Sequence, residues 1–318
     1  MKQLGLGLNL STKKTRKREF LEQMERVVPW ATLVQVAEPY YPKAKTGRPP
    51  FGIETMLRVH YLQQWFALSD PAMEEALHDM PLFREFAKLD ETGRLPDETT
   101  ILRFRHLLEK HDLAVDMLRV VNDILGAKGL MMKKGTVVDA TLIAAPSSTK
   151  NAEGERDPEM KQTKKGNQWY FGMKAHIGVD AHSGLVHSVV GTAANVNDVT
   201  QVGALLHGEE EVAFGDAGYQ GVHKRPEAQG PQWHVAMRDG LRRKLNPFIA
   251  PHFEAIEREH WKASVRAKVE HPFRVLNRQF GYTKVRYRGL AKNTAQIVTL
   301  FALSNLWMAR RQLMGMRG

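Results

Sequence analysis

Three acidic residues occupy positions where a carboxylate is unusual, two in apolar segments and one in a strongly basic stretch. Asp139 interrupts the apolar run TVVDATLI, and Asp216 follows a short apolar segment within FGDAGYQG. Glu270 is the single acid between Trp261 and the C-terminus, a stretch that contains twelve Lys or Arg residues. A carboxylate in an apolar strand is rarely buried unless it is paired or binds a cation. These three side chains are therefore the candidates for chemistry.

Carboxylate oxygens are the ligands that Mg²⁺ and Mn²⁺ prefer, and three acids from separate elements suit such an all-oxygen site. A site of this kind can hold two ions about 3.5–4 Å apart, which activate a water or 3′-hydroxyl and stabilise the leaving oxygen of a phosphodiester. Each acid also has a simpler explanation. Asp139 could form an ion pair, Asp216 could shape a turn with Gly218, and Glu270 could pair with Arg266 one helical turn earlier.

The composition favours a polyanionic partner. The 318 residues include 46 Lys or Arg against 35 Asp or Glu, a net charge of +11 with a pI near 9.7. Nucleic acid is the leading partner class, and a merely basic protein is the alternative. The absence of Cys excludes disulfides and thiolate metal sites. We expect no secretory signal, no membrane span and a cytoplasmic location, associated with the nucleoid when bound to DNA.

The chain from Glu19 to about Leu130 is predicted to be almost entirely helical. Asp97 and Thr99 suit the start of a helix with Ile101 and Phe104 on one side. Its other side is expected to present Arg103, Arg105 and His106, which favours a helix-turn-helix-like DNA-binding domain. An all-helical packing domain is the alternative.

The pattern changes near Gly135 to short β-branched segments. We predict strands over 136–143, 172–180, 185–193, 211–214 and 233–237, with a polar loop over 146–170. Helices are expected to alternate with the later strands and to follow them. Val265, Val269 and Phe273 recur at helical spacing around Glu270, so this acid should lie on a helix. The order predicts an α/β fold with a mixed sheet flanked by helices.

Several motifs together resemble the DDE transposases of bacterial insertion sequences, specifically the group of insertion sequences four and five. The matching segments are VVDATLI, FGDAGYQG, SVRAKVEHPFRVLNRQFGYTKVRYRGLAKN, NTAQIVTLFALSNLWMARR, GRPPFG and LPDETTILRFRHLLE. Arg266 and Glu270 keep the spacing of the family's helix motif. Ala263 stands at that motif's Tyr position and Asn277 at its Lys position.

The resemblance implies two domains, a helical DNA-binding domain over 1–130 and an RNase H-like catalytic domain with C-terminal helices over 131–318. It implies that Asp139, Asp216 and Glu270 bind Mg²⁺ as a pair of ions, with Mn²⁺ as a substitute, and that Arg266 orients Glu270 or a phosphate. The partners it implies are terminal inverted repeats and target DNA, bound by a homodimer. The candidate DNA contacts are Arg103, Arg105, Arg274, Asn277, Arg278 and Lys284.

The expected function is metal-dependent cleavage and strand transfer at the ends of an insertion sequence. Two alternatives remain open at this point. One is a catalytically impaired, transposase-derived DNA-binding protein, which the changes at Ala263 and Asn277 favour. The other is an RNase H-like nuclease without strand transfer.

Overall fold

Short helices build the first part of the chain. The computed structural model describes residues 14–43, 48–90, 93–151 and 154–316. Gly47, the first residue of the GRPPFG motif, lies outside these ranges. The first residues of the predicted domain 1–130 and the last residues of the predicted domain 131–318 also lie outside them. The helices before residue 130 are α1 (Arg16–Val27), α2 (Trp30–Ala37), α3 (Ile53–Phe66), α4 (Asp70–Asp79), α5 (Pro81–Phe86), α6 (Glu98–Lys110) and α7 (Leu113–Ala127).

Local sequence signals start and separate these helices. Asp97 caps α6 by accepting the Thr100 N–H at 2.7 Å, as its sequence context predicts. Ser69 caps α4 in the same way, through the Ala72 N–H at 3.3 Å. Pro29 separates α1 from α2, because a proline inside a helix removes a backbone donor and crowds the preceding turn. The prediction of a helical first part is confirmed.

Strands and helices alternate in the remainder. The strands are β1 (Gly135–Ala144), β2 (Lys161–Lys165), β3 (Gln168–Asp180), β4 (Val186–Ala193), β5 (Val212–Gly215) and β6 (Gln232–Val235). The helices are α8 (Val202–Leu205), α9 (Asp239–Arg242), α10 (Ala250–Arg266), α11 (Glu270–Arg274) and α12 (Leu290–Gly315).

One mixed sheet contains the six strands found in the described residues. β1 pairs antiparallel with β3 and parallel with β5, and β6 extends the parallel half beside β5. β2 and β4 both pair antiparallel with β3. The mixed α/β architecture predicted from the order of elements is therefore confirmed.

The predicted loop over 146–170 is wrong in part, because it contains β2 and the first residues of β3. β2 has the sequence KQTKK and buries little apolar surface. Its order comes from backbone pairing with an extension of β3, from Lys161 opposite Gly172 to Lys165 opposite Gln168. Hydrophobic alternation cannot reveal a strand of this type.

The C-terminal helix α12 joins the first helices to the sheet. Its Asn305 is fully buried and donates to the Asn122 Oδ1 of α7 at 2.9 Å. The same side chain donates to the Val186 carbonyl of β4 at 2.7 Å and accepts the Val186 N–H at 2.8 Å. One apolar core runs through these elements, so the packing is continuous across residue 130, where a domain boundary stays a prediction. Within the described ranges, no helix has the length and apolar character needed to cross a bilayer.

Candidate active site around Asp139 and Asp216

Asp139 lies near the centre of the sheet, on the strand that separates its antiparallel and parallel halves. Its β3 partner is Ile177. Its own carboxylate accepts the Ala140 N–H at 2.7 Å. Burial raises the pKa of Asp139 to about 6, and the nearby carboxylates of Asp216 and Asp198 act in the same direction. The site thus holds an acid whose charged form is poorly solvated.

Asp216 directly follows β5, the parallel neighbour of β1. The register pairs Val137 with Phe214, so two further residues along each strand bring Asp139 level with Asp216. One oxygen of Asp216 accepts the Gly218 N–H at 2.8 Å. A Cβ at Gly218 would lie 2.9 Å from that oxygen, so the tight turn suits glycine. Asp216 therefore shapes a turn with Gly218, as one interpretation of the sequence predicted, and it also lies beside Asp139.

Arg266 faces this pair from the last residue of α10. Its positive charge lowers the pKa of Asp139, against the larger effect of burial. It also lines a cavity of about 430 Å³ together with Asp216 and Ala263, the residue at the family's Tyr position. Arg266 forms no ion pair with Glu270 among the described residues. The helical ion pair considered from sequence is not formed.

Glu270 stands apart from the two aspartates. It is exposed and begins α11, after a single 3₁₀ turn over Ala267–Val269. The next residues, Val275–Gln279, form a π-helical turn, so the hydrogen-bond pattern changes repeatedly along this helical stretch. Across the residues that the structure describes, no three acidic or histidine side chains are gathered closely enough to hold a metal ion. The structure brings together Asp139, Asp216 and Arg266, and leaves Glu270 outside that group.

Asp198 is an acid at the edge of the site, and its charge raises the pKa of Asp139. Asn197 caps the helical turn that follows it, while the Asp198 carboxylate accepts Lys174 Nζ at 2.8 Å and lies 3.6 Å from His176 Nδ1. Lys174 and His176 share one face of β3, because they are two residues apart on a strand. A Lys and a His on one strand face are the sequence feature that could have indicated a nearby acid such as Asp198.

Glu259 is a second acid that sequence reasoning missed. Its side chain is 4% exposed and lines the cavity with Asp216 and Arg266. Burial alone would raise the pKa of Glu259, but its ion pair with Lys262 and a hydrogen bond from the Met237 N–H (2.9 Å) lower it overall. In sequence it is one of several acids in a charged helix, and nothing there distinguishes it.

Tyr219 closes the inner side of the site. Its ring packs so closely on β5 that a Cβ at Gly215 would lie 2.9 Å from the Tyr219 Cβ. The hydroxyl is buried without a hydrogen-bond partner among the described residues. Burial, followed by the charges of Asp198, Asp139 and Asp216, raises the pKa of Tyr219. The hydroxyl therefore stays protonated beside the aspartates.

The candidate DNA contacts fall into two groups. Arg103, Arg274, Asn277, Arg278 and Lys284 are all exposed. Lys284 also lies at the carboxyl end of β1, because it bridges to Ala144.

Arg105 does not fit the prediction, since it is 6% exposed and bonded to Asp70 (2.9 Å) and Glu109 (2.8 Å). It also stacks on Tyr287, with 4.1 Å between the guanidinium carbon and the ring centre. Its spacing from Ile101 and Leu108 puts it on the buried side of α6.

Two family models match the chain. Residues 8–107 match the family described as Transposase domain (DUF772). No solved structure gives a significant match to the chain. Residues 131–306, more than half of the chain, match the family described as Transposase DDE domain. The chain therefore belongs to the transposase DDE domain family.

Proposed function

We propose that this transposase cleaves DNA at the terminal inverted repeats of an insertion sequence and joins the freed ends to target DNA. We assign it to the group of insertion sequences four and five. The observation that carries the catalytic part is the position of Asp139 beside Asp216, on adjacent parallel strands and partly withdrawn from water. Ligands in α/β sheets bind at the carboxyl ends of strands, where Asp216 lies.

The residues present suit a divalent cation. Two carboxylates in a poorly solvated position repel each other, and burial already raises the pKa of Asp139 to about 6. A cation between them would remove both costs, and oxygen ligands of this kind suit Mg²⁺ or Mn²⁺. Glu270 is exposed and has no hydrogen bond or ion pair among the described residues, so its carboxylate is available as the third ligand. Held by Asp139, Asp216 and Glu270, two such ions would supply activation of the attacking oxygen and stabilisation of the leaving one.

The surrounding residues hold the polyanion. Arg266 faces the aspartates from the helix and is placed to orient a phosphate or, after a shift of the helix, Glu270. Arg274, Asn277 and Arg278 are exposed on the following helical turns, where they contact the DNA backbone. Arg103 supplies a contact from α6.

The remaining features of the proposal follow from this activity. β1, β3 and β4 form an antiparallel set that β2 extends, and β5 and β6 run parallel to β1; this order supports an RNase H-like assignment of residues 131–318. Residues 1–130 read the terminal repeats. Two ends must be cut, so the protein acts as a dimer on DNA in the bacterial cytoplasm.

Cleavage of a duplex carrying the element's ends tests the proposal. We expect nicking that requires Mg²⁺ or Mn²⁺ and joined products when target DNA is present. Asp139→Asn and Glu270→Gln should each abolish both reactions, and Asp180→Asn is a control at a carboxylate that the hairpin turn satisfies. Cleavage that survives both site substitutions would overturn the assigned site, and nicking without joined products would identify a nuclease.

A catalytically impaired DNA-binding protein is the second candidate, favoured by Asn277 and because Glu270 does not complete a three-acid metal group with the aspartates among the described residues. It predicts tight binding of the same duplex without metal-dependent nicking. The variant Asn277→Lys restores the family's ammonium group. A gain of cleavage in Asn277→Lys over a silent parent would establish this candidate.

A further inference from the structure

The β2–β3 hairpin is a basic arm that the catalytic site does not use. It comprises Lys161–Lys165, the two-residue connection Gly166–Asn167 and the start of β3 at Gln168. Gly166 adopts a φ of 60°, a conformation open to glycine at little cost. We infer that this hairpin, residues 161–172 (the β2–β3 arm), binds the DNA duplex beyond the catalytic site. The inference rests on the proposed function, because it names a further contact with the same substrate.

The charge of the β2–β3 arm fits a polyanion. Lys161, Lys164 and Lys165 are exposed, and none forms an ion pair with another described residue. No acidic residue occurs between 160 and 171. The two acids just before the arm are engaged elsewhere, since Asp157 accepts the Gly289 N–H (2.7 Å) and Glu159 the Leu290 N–H (2.5 Å). The three lysines are therefore free to neutralise phosphates.

Trp169 gives the arm an exposed aromatic surface. Its side chain is 65% exposed, although large apolar side chains are usually covered. It lies opposite Lys164 in the register, so the indole and this ammonium group share one face of the hairpin. In a duplex the bases are stacked on one another, so the exposed ring would pack against sugars or wedge at a base step while the lysines hold the backbone.

The arm leaves the sheet at the end that carries the site. β3 runs antiparallel to β1, so its first residues continue past the carboxyl end of β1. Gly172 allows β3 to pass close to the end of β1, because a Cβ at this position would clash with the Ile143 carbonyl oxygen. Trp169 is on the same face of β3 as Ile177, the residue opposite Asp139, by strand alternation. A duplex over Asp139 can thus continue along the arm.

The geometry also sets where the contact falls. Nine residues separate Gln168 from Ile177, which at about 3.3 Å per residue is about 30 Å. At about 3.4 Å per base pair, this length corresponds to about nine base pairs. The arm therefore contacts the duplex about nine base pairs from the phosphate at the catalytic site.

Salt-dependent binding of a fluorescein-labelled 30-base-pair duplex of mixed sequence tests the contact. The full-length double variant Lys164→Gln/Lys165→Gln should lower the slope of log affinity against log salt by about 1.8, about 0.9 for each phosphate that the variant no longer neutralises. Trp169→Ala should weaken binding about 5-fold, through lost apolar contact, without changing the slope. The control Lys128→Gln/Lys134→Gln removes the same charge from exposed residues before β1, at the opposite end of that strand, and should change neither quantity.

Position is tested by cleavage from a tethered reagent. The chain has no Cys, so Gln168→Cys carries iron-EDTA at one defined site. On a duplex that carries the element's ends, cuts centred about nine base pairs from the nick support the inference, and uniform or absent cuts overturn it.

The outcomes separate the two proposals. If the wild type nicks DNA and the arm variants bind DNA as tightly as the wild type, the inference that the β2–β3 arm binds DNA is wrong. The proposed function then stands. Failure of the wild type to bind DNA would overturn both. If Trp169→Ala alters only the oligomeric state, the arm joins copies of the chain and the inference is wrong.

Discussion

Arg266 interacts with Asp139 across the site and forms no ion pair with Glu270, one turn further along its own helical stretch. The guanidinium group of Arg266 therefore lies on the side of the site where Asp139 and Asp216 are. Glu270 is left without a partner among the described residues. This relationship separates the roles of the two residues and leads to distinct predictions for them.

Arg266→Gln should lower the rate of DNA cleavage about 10²-fold, because it removes a preorganised cation from a site where negative charge develops. Unfolding temperature should change little. The matched control is Arg258→Gln, an exposed arginine two turns earlier on the same helix, which should cleave at the wild-type rate. Equal losses in both variants would point to a general effect of charge.

Asp139→Asn should stabilise the metal-free protein while it abolishes cleavage. The folded-state pKa of about 6 is above the ordinary value of 3.8, so folding favours the protonated acid. This contribution is fully present below about pH 3.8 and is lost as the pH rises through about 6. At pH 7.5 the variant should therefore gain up to about 3 kcal/mol in free energy of unfolding.

Thermal unfolding in EDTA between pH 4 and 8 measures this gain. The control Asp180→Asn should act in the opposite direction by about 1–3 kcal/mol, because the Asp180 carboxylate accepts bonds from Lys133 N–H, Ser183 N–H and Ser183 Oγ. A wild type and an Asp139→Asn variant that unfold alike at every pH would contradict the burial of this carboxylate.

Arg105 and Arg103 should separate cleanly into a structural and a DNA-contacting role. Arg105→Met breaks a buried network with Asp70 and Glu109 and should cost about 3–5 kcal/mol of stability. Arg103→Gln, at an exposed position on the same helix, should weaken DNA binding and leave the urea midpoint unchanged. The reverse pattern would restore the prediction that Arg105 contacts DNA.

Asn305→Leu should destabilise the whole chain, since it leaves the Val186 backbone groups and Asn122 without their buried partner. The expected loss is about 2–4 kcal/mol. Because the apolar core is continuous across residue 130, circular dichroism and tryptophan fluorescence should report one shared urea transition. Two separate transitions in the wild type would show that the predicted domains unfold independently.

The sequence was informative where burial governs structure. The β-branched run around Asp139 predicted β1 correctly, and Asp97 predicted the start of α6. β2 was missed because its order depends on pairing with β3 rather than on its own apolar residues. Arg105 was predicted to be exposed because it is charged, although its spacing from Ile101 and Leu108 puts it on the apolar side of α6, where Asp70 and Glu109 pair with it.

The neighbours of the candidate site show a different limit. Asp198 and Glu259 are distant from Asp139 in sequence and are brought near it by the fold. In the sequence each has an ordinary local explanation, Asp198 as a residue beside a helix cap and Glu259 as one acid of a helix. Whether Glu270 joins the aspartates depends on the conformation of a helix with 3₁₀ and π turns, which no residue pattern specifies.

Iron-mediated cleavage of the protein backbone tests most directly whether the three acids form one metal site. Fe²⁺ replaces Mg²⁺ at oxygen sites; added hydrogen peroxide is reduced there to hydroxide and a hydroxyl radical that cuts the nearby chain, and ascorbate returns the Fe³⁺ to Fe²⁺. We predict fragments that end near residues 139, 216 and 270, suppressed by excess Mg²⁺ and lost in Asp139→Asn. Cuts near 139 and 216 without any near 270, in the presence of DNA, would contradict the role assigned to Glu270.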